Sequence, residues 1–439
     1  MLVGRASAAA PAVAELGLDE RLVRAAESGR RLASAGPDLV EAAVAELGQP
    51  RRFAERELSS ALEWVGALPE LAAAIRPRPV GAVSGETVLQ WMPYGVALGW
   101  HAANSPLWVP TVVVLSALVA GNAVLSRPSQ RATRTTGRAV ALLADAWPVD
   151  AVVTVELAAD DAEPLLWADG VGVVVAHGST ATCRRHLAQL GRAYAAGARL
   201  RPYIPEASGN DAALILAGAD LQHAATAVAL GGFANGGQLC MAAKRIIVER
   251  SVWNEFAPRL VDAVGALVVG DPSGPRTDVA PVVNEQARSA ALEALSEALA
   301  RGGRLVAGGL AHDDVIHPTI VQLPRGALDV ALWREEVFAP VRGLVLAADA
   351  DDAVRLANDT SFGLGAAVFG GPAGVAERLR AARVLENEGP LYTDPQLVVG
   401  GIGDSGFSGA RPKVEQLVWA RRVHRSASAT RERGGAASG

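Results

Sequence analysis

The sequence predicts an α/β protein of two doubly wound lobes with a small strand-pairing element, and three observations carry that expectation. At 439 residues the chain exceeds what one hydrophobic core supports, so two or three domains are expected. Two successive strand–helix series of comparable length run through it, and such alternation builds parallel sheets crossed by helices. A purely helical stretch precedes both.

In that stretch Asp19–Ala33, Asp38–Glu46 and Phe53–Leu68 show apolar residues at three- and four-residue spacing, and a proline-rich run over 76–80 ends it. The first series comprises strand Val96–Trp100, helix Pro110–Ala120, strand Ala123–Ser126, helix Thr133–Ala146, strands Ala151–Val155 and Val171–Ala176, and helix Ala181–Leu190. The second comprises strand Ala212–Leu216, helix Leu221–Ala234, strand Arg245–Val248, helices Val252–Leu267 and Glu285–Ala300, and helix Ala353–Asn358. Two lobes imply a cleft between them, which is where ligands usually bind.

Composition narrows the function classes. Half the residues are hydrophobic and 20% are charged, as in ordinary globular proteins, and the formal charge of -5 gives no reason to expect nucleic acid or membrane partners. Only two of the 41 basic residues are lysines, Lys244 and Lys413, which reads as codon bias. Two cysteines fit a reducing cytoplasm rather than a disulfide framework, and the first residues do not read as a secretory signal. Seven scattered histidines offer no paired metal spacing, so no metal is expected. Thr87 to Ser126 carries no Asp, Glu, Lys or Arg, and Pro106–Leu125 within it is apolar for the length of a membrane span, but Asn104, Pro106, Pro110, Gly121 and Asn122 punctuate the run, so it reads as the buried centre of a sheet.

The most informative local feature is 235–240, Asn-Gly-Gly-Gln-Leu-Cys. Two glycines let the backbone turn sharply before Cys240. A short helical pattern over 241–245 would add a helix dipole and a cation, both of which stabilise thiolate. Alone, Cys240 would read as a buried structural cysteine.

Its company changes that reading. Pro93–Val96, Asn104–Pro106, Ala120–Val124, Arg127–Ser129, Glu206, the Cys240 segment, Glu336–Phe338 with Pro340, and Gly400–Gly406 follow one another in an order and spacing that resemble the NAD(P)-dependent aldehyde dehydrogenase superfamily over about 20–425. The resemblance implies an aldehyde dehydrogenase-like fold, with 1–75 and 93–207 binding the cofactor, 208–410 carrying the nucleophile, and 76–92 and 411–425 pairing subunits in a homodimer or homotetramer; beyond it, the Arg-, Ala-, Ser- and Gly-rich composition of 426–439 predicts a disordered tail. It implies Cys240 as the nucleophile, Asn104 with the Cys240 N–H as oxyanion donors, and Glu206 as the base that activates water.

For the cofactor, NAD or NADP, the resemblance implies contacts from Arg127, Ser129, Gly178, Ser179, Glu336 and Phe338. Arg127 and Gln130 stand where the family usually has lysine and, in many NAD-specific members, glutamate. A guanidinium in place of a carboxylate's repulsion suits a 2′-phosphate, and so NADP. Around Glu206 the chain reads Glu-Ala-Ser-Gly-Asn where Glu-Leu-Gly-Gly-Lys is usual, and Cys183 replaces a glycine. The implied reaction is oxidation of an aldehyde to a carboxylic acid. Two alternatives stand beside it: thioester formation or reduction with coenzyme A or a carrier-protein thiol, and a binding or scaffold protein without turnover. Trp108, Phe233, Leu239, Met241 and Tyr392 are candidates for an apolar substrate tunnel.

Overall fold

The computed structural model describes residues 1–81, 85–309, 311–312, 315–397 and 399–426. Four helices open the chain: α1 (Leu2–Glu15), α2 (Leu18–Ser34), α3 (Gly36–Leu47) and α4 (Arg51–Leu71). The last three match the periodic segments of the sequence. Helix α1 was not anticipated, because its alanine-rich run has little amphipathic contrast and contains Pro11. It buries Ala6, Ala9, Ala10 and Val13.

Strands β1 (Arg78–Val80) and β2 (Glu86–Pro93) lead into a parallel five-stranded sheet of β3 (Val96–Trp100), β4 (Ala123–Arg127), β5 (Val152–Thr154), β6 (Val173–His177) and β7 (Tyr203–Glu206), in the order β5-β4-β3-β6-β7. After only four residues the chain enters a second sheet at β8 (Asp211–Ile215), followed by β9 (Ala243–Glu249) and β10 (Arg304–Ala307). A two-residue pair, β11 (Ala311–His312) with β12 (Val315–Ile316), precedes β13 (Thr319–Gln322), β14 (Val341–Ala347), β15 (Gly365–Phe369) and β16 (Arg383–Glu386). The second sheet runs β10-β13-β14-β9-β8-β15-β16, parallel except where β10 meets β13. The final strand, β17 (Val418–Arg425), returns to pair antiparallel with β2, forming a small sheet β1-β2-β17 with β1 and β17 at its edges. Residues 426–439, expected to be a disordered tail, lie outside the described residues apart from Ser426.

Helix α5 (Trp108–Val119) accounts for most of the apolar run. All of Val109–Val119 is buried, and β4 behind it is buried on both faces. Each large aliphatic side chain so removed from water contributes about 1.5–3 kcal/mol. Among the described residues no helix is long and apolar enough to cross a membrane.

Candidate active site

The helix expected after Cys240 does not form. Residues 240–242 are a turn that runs directly into β9, so no helix dipole reaches the thiol. The same apolar residues extend as a strand because β9 is flanked on both sides, by β8 and β14, in a buried parallel sheet. The sharp approach is real. Asn235, Gly236 and Gly237 take consecutive left-handed φ values of 54°, 63° and 69°, a run that side chains other than Gly and Asn rarely adopt. Arg342, fully buried on β14, holds this turn by donating to the carbonyls of Gly232 (2.8 Å) and Gly237 (3.0 Å), and to Ala339 (2.7 Å) beside the Glu336–Phe338 segment.

A cation does reach Cys240, and it is Lys244. Its Nζ donates to the carbonyls of Leu239 (2.6 Å) and Cys240 (2.5 Å) and lies 3.3 Å from Glu336. Arg245 points elsewhere, donating to Asn210, Leu356 and Ala357 carbonyls. Burial pushes the Cys240 thiol up to about 11; the Lys244 ammonium opposes this, while Glu336, Asp211 and Glu206 add to it. The resting group is therefore a thiol that needs a base, not a preformed thiolate. Cys183 is buried on the helix Thr180–Ala195, and burial raises its thiol too.

Asn104 sits where the turn before α5 meets the 235–240 loop. Its Nδ2 donates to the Gln238 carbonyl at 3.3 Å, and its own carbonyl accepts from Asn235 Nδ2 at 3.4 Å. The contact to Gln238 fixes the amide orientation, because only a donor can face that carbonyl. One Nδ2 hydrogen remains available, and among the described residues the Cys240 N–H has no acceptor. Glu57, reaching across from α4, anchors this corner by accepting from the N–H groups of Leu107 and Trp108 (2.8 Å each) and from Ser105 Oγ (2.8 Å). Burial raises the Glu57 carboxyl, and those N–H groups at the start of α5 counter it.

Glu206 ends β7 at the hinge between the sheets. Its carbonyl accepts from Gly178 N–H at 3.1 Å, and the next amide, Ala207, donates to Ser405 at 3.0 Å. Its side chain is buried in a contact with Lys413 Nζ and accepts from Ser408 Oγ at 3.1 Å, both on Oε1. Gly209, three residues on, packs so closely that a Cβ there would lie 2.2 Å from the Cys240 carbonyl oxygen. This glycine brings the Glu206 turn against the nucleophile loop, and Gly209 N–H also donates to Glu336 Oε1 at 3.0 Å.

At the other end of the crevice, Arg127 closes β4 with its guanidinium 4.3 Å above the Trp100 ring, its buried Nε without a partner and a single long contact to the Leu157 carbonyl (3.4 Å). Burial lowers its pKa. This under-satisfied cation, with Ser129 and Arg131 nearby, suits a phosphate-bearing dinucleotide at the carboxyl ends of the strands. Ser179 caps the helix that follows β6, accepting from Thr182 N–H at 3.2 Å, while Thr180 N–H donates to Ser208 Oγ at 3.2 Å. With Gly178 N–H given to Glu206, a pyrophosphate at this helix would compete with those hydroxyls for the amides. His101 and His177 floor the same crevice; burial, helped by neighbouring cations, holds His101 at about 3 and His177 well below its usual range, so both are neutral.

All nine residues singled out from the sequence (Cys240, Glu206, Asn104, Arg127, Ser129, Gly178, Ser179, Glu336 and Phe338) line one cavity of about 920 Å³. Of the tunnel candidates, Trp108, Leu239 and Met241 line it too, but Phe233 is fully buried core and Tyr392 is exposed. The sequence reading missed Lys413, Ser408, Glu57 and Arg342. Only Lys413 had a legible signal, as one of two lysines in an arginine-rich chain. No group of three metal-binding side chains occurs among the described residues.

The pattern of the aldehyde dehydrogenase family matches residues 1–418. The chain is 30% identical over 395 residues to a succinate-semialdehyde dehydrogenase [NADP(+)] of Mycobacterium avium (strain 104), covering 85% of this chain and 82% of that protein. It is 31% identical over 338 residues to a benzaldehyde dehydrogenase [NAD(+)] of Pseudomonas putida, covering 75% and 67% respectively. Its fold matches the NADP-dependent glyceraldehyde-3-phosphate dehydrogenase of Bacillus halodurans C-125, solved with NADP, at a TM-score of 0.88 and 23% identity, over 97% of this chain and 90% of that one. The chain belongs to the aldehyde dehydrogenase family. Membership brings the enzyme class with it, an NAD(P)-dependent oxidoreductase acting on aldehydes.

Proposed function

We propose that this enzyme oxidises an apolar or aromatic aldehyde to its carboxylic acid through a thioester on Cys240. The observation that carries this reading is the tether between Asn104 Nδ2 and the Gln238 carbonyl, which holds an amide donor beside the nucleophile turn, in the same cavity as Glu206. Cys240 gives up its proton to solvent, and the sulfur adds to the carbonyl carbon. The alkoxide that develops is held by the remaining Asn104 Nδ2 hydrogen and the Cys240 N–H, donors of a kind typically worth about 3 kcal/mol each. Arg127, Ser129, Gly178, Ser179, Glu336 and Phe338 would hold NAD(P)+, which would supply the hydride acceptor for this step. Glu206 then takes a proton from water, whose oxygen attacks the thioester carbon and returns Cys240 as the leaving group.

The substrate class follows from the wall where α4 and α5 face the nucleophile loop: Phe53, Trp64, Trp108, Leu239 and Met241. Arg383, the buried cation there, is already engaged by the Pro390 and Tyr392 carbonyls (2.6 and 3.0 Å). Arg127 and the absence of a carboxylate at Gln130 favour NADP. The five-stranded half would bind the cofactor and the seven-stranded half carry the nucleophile, in a cytoplasmic homodimer or homotetramer joined through the edge strands β1 and β17.

Stopped-flow NAD(P)H absorbance tests the mechanism. Wild type is expected to show turnover without added coenzyme A, Cys240→Ala no burst, and Glu206→Gln a burst of one equivalent with no further turnover. Acid formation that depends on coenzyme A would replace water with a thiol as the acyl acceptor.

A further inference from the structure

We propose that Lys413 is a positioning residue for the hydrolytic half of the reaction, pinning one carboxylate oxygen of Glu206, together with Ser408, so that the other meets water. The inference rests on the reading of Glu206 as the base. Lys413 and Glu206 side chains are only 5% and 7% exposed, and both protein donors, Lys413 Nζ and Ser408 Oγ, fall on Oε1. Among the described residues none donates to Oε2. The backbone on either side is fixed by Gly178 and Ser405, so the carboxylate has only its side-chain torsions with which to wander.

Lys413 reaches this post from far along the chain. It opens the short helix Lys413–Gln416 directly after the glycine-rich 400–409 segment, which bridges to Glu206 through Gly406 and supplies Ser408. Of 411–425, the residues from Val418 enter the small sheet, while Lys413 lines the cleft.

The choice of lysine is informative in a chain that uses arginine at all but two basic positions. A guanidinium presents a fork that engages both oxygens of a carboxylate, whereas an ammonium is a point donor that can hold one. At Glu206 a fork would cover the oxygen that must accept the proton. A buried ion pair is weak evidence for stability, so the one-oxygen geometry matters more here than the charge.

The test is stopped-flow NAD(P)H formation with an aromatic aldehyde in wild type, Lys413→Met, Lys413→Arg and Glu206→Gln, with and without hydroxylamine to intercept the thioester. Lys413→Met is expected to keep the wild-type burst rate and one-equivalent amplitude, with the following steady state about tenfold to a hundredfold slower. Lys413→Arg is expected to be equally slow despite its charge. Hydroxylamine should restore turnover in both. Wild-type steady-state rates in either variant, or burst and steady state slowed together, would overturn the assignment. Full turnover by Glu206→Gln would remove the base reading and this inference with it. If Lys413→Met does not fold, Ser408→Ala carries the same test. It is expected to be about threefold to tenfold slower in the steady state alone, from loss of one hydrogen bond, and an unchanged rate would contradict the proposal.

Discussion

The chain's two lysines form two buried pairs, and comparing them separates the halves of the chemistry. Lys244 with Glu336 sits under the nucleophile: its ammonium holds the Leu239 and Cys240 carbonyls and opposes the burial that raises the thiol. Lys413 with Glu206 sits under the base, and among the described residues its ammonium makes no hydrogen bond to the Cys240 loop. Both are buried ammonium–carboxylate contacts, yet one shapes a backbone turn and the other fixes a side chain. The difference teaches that acylation and deacylation have separate supports, which substitution can uncouple.

The largest expected effect comes from breaking the first pair. Lys244→Met leaves the half-buried Glu336 without its cation and two loop carbonyls without a donor, and should cost about 3–5 kcal/mol in urea unfolding. It should also slow the NAD(P)H burst itself. Next is the contact that joins the two regions. Gly209→Ala sets a Cβ 2.2 Å from the Cys240 carbonyl oxygen, and the resulting displacement of the nucleophile should slow the burst about a hundredfold, since misplacement by about 1 Å costs that much.

The pH dependence sharpens the comparison further. With the thiol raised to about 11, iodoacetamide labelling of Cys240 in the cofactor-free enzyme should keep rising with pH toward that value. On the order of one thiol in ten thousand is ionised at pH 7. Removing the Lys244 ammonium removes a group that favours thiolate, so Lys244→Met should label more slowly at every pH below the midpoint. Removing the Glu206 charge does the reverse, so Glu206→Gln should label faster. The smallest effect lies outside both pairs: Arg127→Ala should weaken NADP binding in calorimetry by about tenfold, or 1.4 kcal/mol.

Much of this was legible in the sequence. The 3.6-residue periodicity marked α2, α3 and α4 because each has one apolar face, and the two strand–helix series predicted the two sheets. Strands such as β13 and β14 were missed, being short apolar runs whose pairing depends on neighbours distant in sequence. The helix expected at 241–245 failed for the same reason, since tertiary pairing to β8 and β14 overrode a local pattern. The spacing of Asn104, Glu206, Cys240 and Glu336 was readable because motifs are local. Lys413, Glu57 and Arg342 act across 207, 50 and 105 residues respectively. No local pattern encodes such contacts, and only the scarcity of lysine pointed to one of them.

The most direct test of the division between the two pairs is intact mass spectrometry of acid-quenched enzyme during steady-state turnover. If the pairs serve separate steps, Lys413→Met carries the acyl mass on most of its chains and Lys244→Met carries almost none, the first being stalled after thioester formation and the second before it. Equal acyl occupancy in the two variants would contradict the account.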